Sequence, residues 1–478
     1  MYLLVTTQKC IIFAISNQFR QGNPGLLILS KQMNRTKKRF FSLIAFLTIT
    51  IVLFAQEVGS NSPYGRYGYG LLSNPSFGAS EAMGGIRYGL RRSQQVNPGN
   101  PASYSEIDTL TFIFDLGVSG QMTRLGDGSN IRDYYNGNLD YIAMQFPVFK
   151  NVGVSVGLLP FSKVGYNYGA TRSRESIQYQ ETYRGTGGLS QVYGGIAWEP
   201  FKNISVGANI SYLFGNITYS TVGIPTSTSA LISESKQTYS IHHLKYDLGV
   251  QYTYPINRTS SVTLGAVYTP QVSPSAVVYP TEMLYTADPY KYPYSSPAQI
   301  QKTDTAAAQT FEIPQSFGLG ATYMNAHLLV GIDGTYQLWK DASYPSLLDG
   351  MTDASRFNNL YRINAGAEYI IDPLSRNFFQ RIRFRGGVSY SNSYINVNVK
   401  DPATNTSLGV GGYKEYGINF GLGLPFRDNL SGRVSMLNIG FGYSRQQPEK
   451  SNMIKQDMFK ISVNMNINEL WFFKRQFN

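Results

Sequence analysis

At 478 residues, only 15% of them charged, the chain is long enough for two or three soluble domains or for one large barrel. Its formal charge of +12 sits largely in residues 1–55, where Lys9, Arg20, Lys31, Arg35, Lys37, Lys38 and Arg39 stand with no acid. The remainder holds 34 basic residues against 29 acidic ones, which excludes a basic groove for nucleic acid. No stretch reaches the roughly 18–20 apolar residues of a membrane helix, so a membrane location requires strands.

The chain opens with residues 1–32, read as an upstream extension of a gene whose true start is Met33. Arg35 to Arg39 then form a basic region, Phe40 to Phe54 an apolar one, and Ala55 a cleavage point, so residues 33–55 read as an export signal. An anchor fits less well, because the apolar run is short and contains Ser42, Thr48 and Thr50. The only cysteine, Cys10, falls in the extension, which leaves the rest without disulfides, thiolate chemistry or Cys-based metal sites.

Residues 56–108 are rich in Gly, Ser, Asn and Pro, include Tyr64-Gly65-Arg66-Tyr67-Gly68-Tyr69-Gly70, and lack sustained alternation. They are either a compact plug, or hatch, within a barrel or a disordered periplasmic tail; the glycine content favours the plug.

From Thr109 to the end, period-two alternation predicts about fourteen strands, near 109–120, 139–148, 152–168, 188–198, 203–214, 243–254, 260–269, 315–323, 327–339, 359–371, 381–394, 412–424, 433–444 and 457–467. Short connections such as Phe149-Lys150-Asn151 alternate with long ones at 121–138, 169–187, 215–242, 270–314, 340–358 and 395–411. A soluble sandwich has no reason to sort its loops in this way. An outer-membrane barrel with both termini on the periplasmic side does. The longest connection carries Asp288-Pro289-Tyr290-Lys291-Tyr292-Pro293-Tyr294, either a ligand-gripping surface or, the favoured alternative, a rigid solvated lid. The last strand alternates Phe459, Ile461, Val463, Met465 and Ile467 with Lys460, Ser462, Asn464 and Asn466, then ends in Trp471-Phe472-Phe473. Such a strand suits one that must close onto the first.

Few residues suggest chemistry. Pro160 interrupts the third strand, where it marks either a bulge or a strand end at which pairing has ceased. Arg362, Glu368, Arg381, Arg383 and Arg385 face the lumen. They read either as a site for an anionic head group or, the favoured alternative, as ion pairs with Glu368 or with Glu81, Glu106 and Asp108 of the plug. His242 and His243 are adjacent and point to opposite faces, His327 borders a turn, and Gly409-Val410-Gly411-Gly412 lacks the Lys-Ser/Thr of a phosphate loop. No catalytic, metal or cofactor site is expected.

The order of plug and strands, with Asn100-Pro101-Ala102 between them, resembles the FadL-type long-chain fatty-acid transporters of Gram-negative outer membranes, in a form typical of Bacteroidota. Leu159-Pro160-Phe161-Ser162, Gly187-Gly188-Leu189-Ser190 and Pro314 to Gly320 are similar to family phrases, whereas the long external loop does not map onto the family. The resemblance implies an all-β fold: a transmembrane antiparallel β-barrel with an N-terminal hatch (56–108) and a barrel (109–478). It also implies a wall gap toward the membrane near Pro160, and passive uptake of hydrophobic or amphipathic small molecules such as fatty acids. The expected surroundings are outer-membrane lipid and a hydrophobic ligand. A rival reading is a barrel subunit that docks secreted proteins for an export system, without small-molecule transport.

Overall fold

The fold is that of a computed structural model, which describes residues 61–126, 130–174, 177–225, 231–285, 299–303, 307–344, 356–400, 407–427 and 433–470. The extension, the export-signal segment, Cys10, Asp288 to Tyr294 and Trp471 to Phe473 lie outside the described residues.

Fourteen antiparallel strands close into one barrel. They are β1 (Thr111–Gly126), β2 (Ile131–Phe149), β3 (Val152–Arg174), β4 (Ile177–Phe201), β5 (Ile204–Pro225) and β6 (Ile232–Pro255). Then come β7 (Ser261–Thr269, continued by Ser275–Tyr285) and β8 (Ser316–Met324, preceded by Gln299–Thr303 and Ala307–Thr310). The circle is completed by β9 (Leu328–Gln337), β10 (Leu360–Ile370), β11 (Arg383–Asn392), β12 (Tyr413–Arg427), β13 (Val434–Pro448) and β14 (Lys455–Leu470). The last strand pairs with the first from Thr111↔Leu470 to Gly126↔Lys455, which leaves no free edge there.

The alternation sets the faces. In β5, Ile210 and Tyr212 are 54% and 47% exposed on the outside, while Ser205, Asn209 and Ser211 are buried inside. Water would not tolerate this inversion over the whole circumference, but lipid does. Two aromatic belts bound the apolar zone. Tyr268, Phe317, Tyr336, Tyr361, Tyr416 and Phe459 form the one toward the long connections, and Phe149, Trp198, Phe201, Tyr254, Tyr369 and Phe384 the one toward the short turns. No helix among the described residues is long and apolar enough to cross a membrane; the crossing elements are strands.

Four of the expected long connections are corrected, among them 270–314, which carries the Ser275–Tyr285 continuation of β7 and the two strand pieces before β8. β1 and β2 run on to Gly126 and from Ile131, β3 and β4 to Arg174 and from Ile177, and β5 and β6 to Pro225 and from Ile232. These extensions stand beyond the apolar zone, where the outer face is wet although inward residues such as Ile217, Val222 and Ile232 stay buried. A strand there carries Thr, Tyr, Gln and Ser without apolar alternation, so the periodicity fades although the ladder continues.

The N-terminal segment occupies the lumen. It contains a short helix, α1 (Gly78–Ala82), and a 3-10 helix, Pro101–Glu106. Its first described residues sit at the long-connection end. Asn61 donates to the Asn136 Oδ1, the Ser62 N–H to the Gly165 carbonyl at 2.8 Å, and the Tyr64 hydroxyl to the Ile454 carbonyl at 2.6 Å. From there the segment descends to Ile107, beside the short turns.

Candidate functional site

The upper part of the segment explains the Tyr-Gly motif. Gly68 and Gly70 adopt φ of +57° and +83°, which only glycine takes without strain. Their carbonyls turn toward surrounding rings: the Tyr344 and Tyr219 hydroxyls donate to the Gly68 carbonyl at 2.6 and 2.9 Å, and the Tyr394 hydroxyl to that of Gly70 at 2.6 Å. Tyr69 is fully buried among Phe311, Trp339 and Tyr344, and burial pushes its hydroxyl well above the ordinary tyrosine range. This aromatic core fills the lumen on the side of the long connections.

Below it the segment is fastened to the wall. Asp333 of β9, 2% exposed, accepts the backbone N–H groups of Arg87 and Tyr88. Asn100 caps the 3-10 helix by accepting from the Ala102 N–H, and its amide donates to the carbonyls of Tyr88 and Val250. The Asn100-Pro101-Ala102 motif is therefore a seating element. Gln251 of β6 donates to the same Tyr88 carbonyl at 2.9 Å. The backbone lies directly against wall glycines. A Cβ on Gly265 would come within 1.8 Å of the Tyr88 carbonyl oxygen, and one on Gly366 within 2.1 Å of that of Met83.

Three charge clusters tie the segment down. Toward the short turns, Glu368 accepts from Arg92 at 2.7 Å, Arg383 at 3.0 Å and Arg385 at 2.7 Å, beside a cavity of about 290 Å³. Arg91 bonds Glu106 at 2.8 Å and Glu199 at 2.6 Å. On the other flank, Lys460 of β14 meets Glu81 of α1 and, at 3.2 Å, Asp140 of β2; burial raises the Glu81 carboxyl above its ordinary value.

The five residues expected as one cluster divide. Glu368, Arg383 and Arg385 meet. Arg362 lies farther up β10 and lines a different cavity, and Arg381 belongs to the Phe379–Arg381 turn that precedes β11. The divergence has a simple cause: inward positions six residues apart along a strand are separated by about 20 Å. Asp108 is 3.9 Å from Arg433, a weak surface contact. Arg92, Asp333, Asp140, Lys163 and Lys460 were not singled out from the sequence. For Asp333 the signal was a lone acid on the lumenal face between Gly331 and Gly334. Arg92 offered none, because its partner is 276 positions away.

Pro160 lies within β3, at a bulge where the register with β4 shifts between Pro160 and Ser162. The β2–β3 ladder runs from Phe149↔Val152 only to Ile142↔Leu158. Beyond that point the facing edges of β2 and β3 do not pair with each other. Instead Leu71 and Leu72 of the plug pair with Lys163 and Ser162, and the Ser73 N–H donates to the carbonyl of the bulged Phe161 at 2.9 Å. A strap of the N-terminal segment thus lies along the free edge of β3. Behind this seam is a cavity of about 280 Å³ reached by residues of both rims, Asn138 and Asp140 on β2 and Leu159, Pro160 and Lys163 on β3. Among the described residues no three His, Cys, Asp or Glu side chains converge to hold a metal.

Comparison with known proteins places this geometry. The BamG family model matches residues 36–478. No curated protein matches the chain. Among solved structures, a Pseudomonas aeruginosa FadL homologue is similar at 15% identity and a TM-score of 0.52, over 83% of this chain and 99% of that one. The Ralstonia pickettii toluene transporter TbuX is similar at 13% identity and a TM-score of 0.51, over 82% and 98%. The Pseudomonas putida toluene transporter TodX is similar at 14% identity and a TM-score of 0.50, over 84% and 100%. The shared property is the fold, a FadL-type barrel.

Proposed function

We propose a function from one premise: the chain belongs to the BamG family. We infer that it is an outer-membrane channel for passive uptake of hydrophobic or amphipathic small molecules, and that these pass sideways through the β2–β3 seam. The observation that carries this reading is the interrupted ladder above Ile142↔Leu158, beside Pro160, with a cavity behind it. The plug is fastened by buried hydrogen bonds and pressed against wall glycines, so a route that requires it to move is costly, whereas the seam needs only the strap to shift. Flow by this route follows the gradient. The toluene transporters that share the fold support small hydrophobic substrates, and the sequence resemblance supports long-chain fatty acids.

The test is flux. Liposomes containing the protein, loaded with a fatty-acid-binding reporter, should take up oleate or toluene faster than protein-free vesicles. A disulfide between Leu72→Cys and Ser162→Cys, which holds the strap on β3, should slow uptake until it is reduced. Equal flux in oxidised and reduced protein would sink the lateral route.

A second reading, a docking subunit for secreted proteins, is favoured by the aromatic core that closes the lumen toward the long connections. Gentle extraction followed by mass spectrometry separates the two: a stoichiometric protein partner without an enriched small molecule supports docking.

A further inference from the structure

We propose that the cavity behind the β2–β3 seam binds the phosphate-bearing head group of a membrane lipid, which enters sideways while its acyl chains stay in the bilayer. Three observations lead there. The seam opens above Ile142, four residues from Phe146 at the lower end of β2 and seven from the outward Tyr135, so it faces the hydrocarbon zone rather than water. The aromatic core lies on the long-connection side of the lumen and the seated plug toward the short turns. The lining is mixed: Leu159 and Met458 stand beside Gln121, Asn138, Lys163 and Arg362, which suits an amphipathic ligand.

The charges select the ligand. Lys460 is already shared between Glu81 and Asp140, and Glu415 accepts from Gln446 at 2.8 Å. The side chains of Lys163 and Arg362 make no ion pair or hydrogen bond with any described residue. The carboxylates of the same cavity, Asp140 and Glu81 for Lys163 and Glu415 for Arg362, attract these two cations without bonding them directly. The ammonium and the guanidinium therefore keep their donors for a phosphate, which accepts several charge-assisted hydrogen bonds at once. A wholly apolar ligand would take these groups out of water without compensation. A phospholipid and a phosphorylated glycolipid both offer this chemistry.

The inference uses the same seam as the uptake reading but is read by binding, so it stands if the barrel carries no flux and falls even if flux is intact. The full chain, stripped of lipid in detergent, is mixed with phosphate-free digalactosyldiacylglycerol vesicles doped with phosphatidylethanolamine, with lipid A, or with diacylglycerol. It is then re-extracted, and the retained lipid is quantified by mass spectrometry. About one equivalent of phosphatidylethanolamine or of lipid A should be enriched over the phosphate-free background, which identifies the source, and diacylglycerol should not be retained. The Lys163→Gln/Arg362→Gln double variant should retain about tenfold less, the loss of a hydrogen-bonded charge interaction. Ser391→Trp, which keeps both cations but fills the space, should lose retention similarly. Both variants are first checked for heat-modifiable migration of a closed barrel. Retention unchanged in either folded variant, or equal retention of diacylglycerol, would overturn the proposal.

Discussion

Two seams of the same barrel behave in opposite ways. The closing seam joins β14 to β1 by an unbroken ladder from Thr111 to Gly126. The β2–β3 seam joins strands adjacent in sequence, linked by a tight turn, yet its ladder ends at Ile142↔Leu158. Sequence proximity therefore does not decide which edges stay paired; local irregularity does. β14 alternates without Pro or Gly from Lys455 to Leu470. The other seam gathers a bulge at Asp140, where the β1–β2 register shifts between Gly117 and Val118, and a second one beside Pro160. Each bulge bends its strand and breaks the match between edges. The freed β3 edge is managed by the strap, a local form of edge protection.

The largest effect is expected where the comparison can be broken outright. Val463→Pro removes a ladder donor from β14, a strand paired on both sides, and should abolish closure, seen as loss of the heat-modifiable band. Leu116→Lys places a charge on the lipid face of the same seam, midway between the aromatic belts, and should cost about 2–4 kcal/mol in a urea titration from lipid vesicles. At the other seam, Ser73→Pro deletes the donor to the Phe161 carbonyl. It should cost only about 1–2 kcal/mol but raise proteolytic nicking of the strap. The smallest stability change should come from Pro160→Val, below about 1 kcal/mol. Its signature is functional: the ladder can extend past Leu158, and lateral uptake should fall while thermal stability holds. A Pro160→Val protein as unstable as Leu116→Lys would mean that both seams depend on unbroken pairing.

The sequence carried the barrel further than it carried the site. Strand number and facing were legible because a lipid-facing row such as Ile204, Val206, Ile210 and Tyr212 leaves a period-two record. Strand length was not, because Gln121 to Gly126 and Ser220 to Pro225 lie beyond the apolar zone, where alternation is no longer required. Pro160 and Asn100-Pro101-Ala102 stood out as local anomalies in the chain. What each one touches did not: Asn100 reaches Val250, Arg92 reaches Glu368, and Leu71 reaches Lys163 across separations that no periodicity encodes.

The threading of the N-terminal segment constrains how the molecule comes into being. Its first described residues lie at one end of the barrel and Ile107 at the other, with the aromatic core around Gly68 and Gly70 and the wall glycines around Met83 and Tyr88 leaving no slack between. If the zipping of β14 onto β1 came last, around a segment already laid inside, the order of synthesis, plug first and closing strand last, would also be the order of construction.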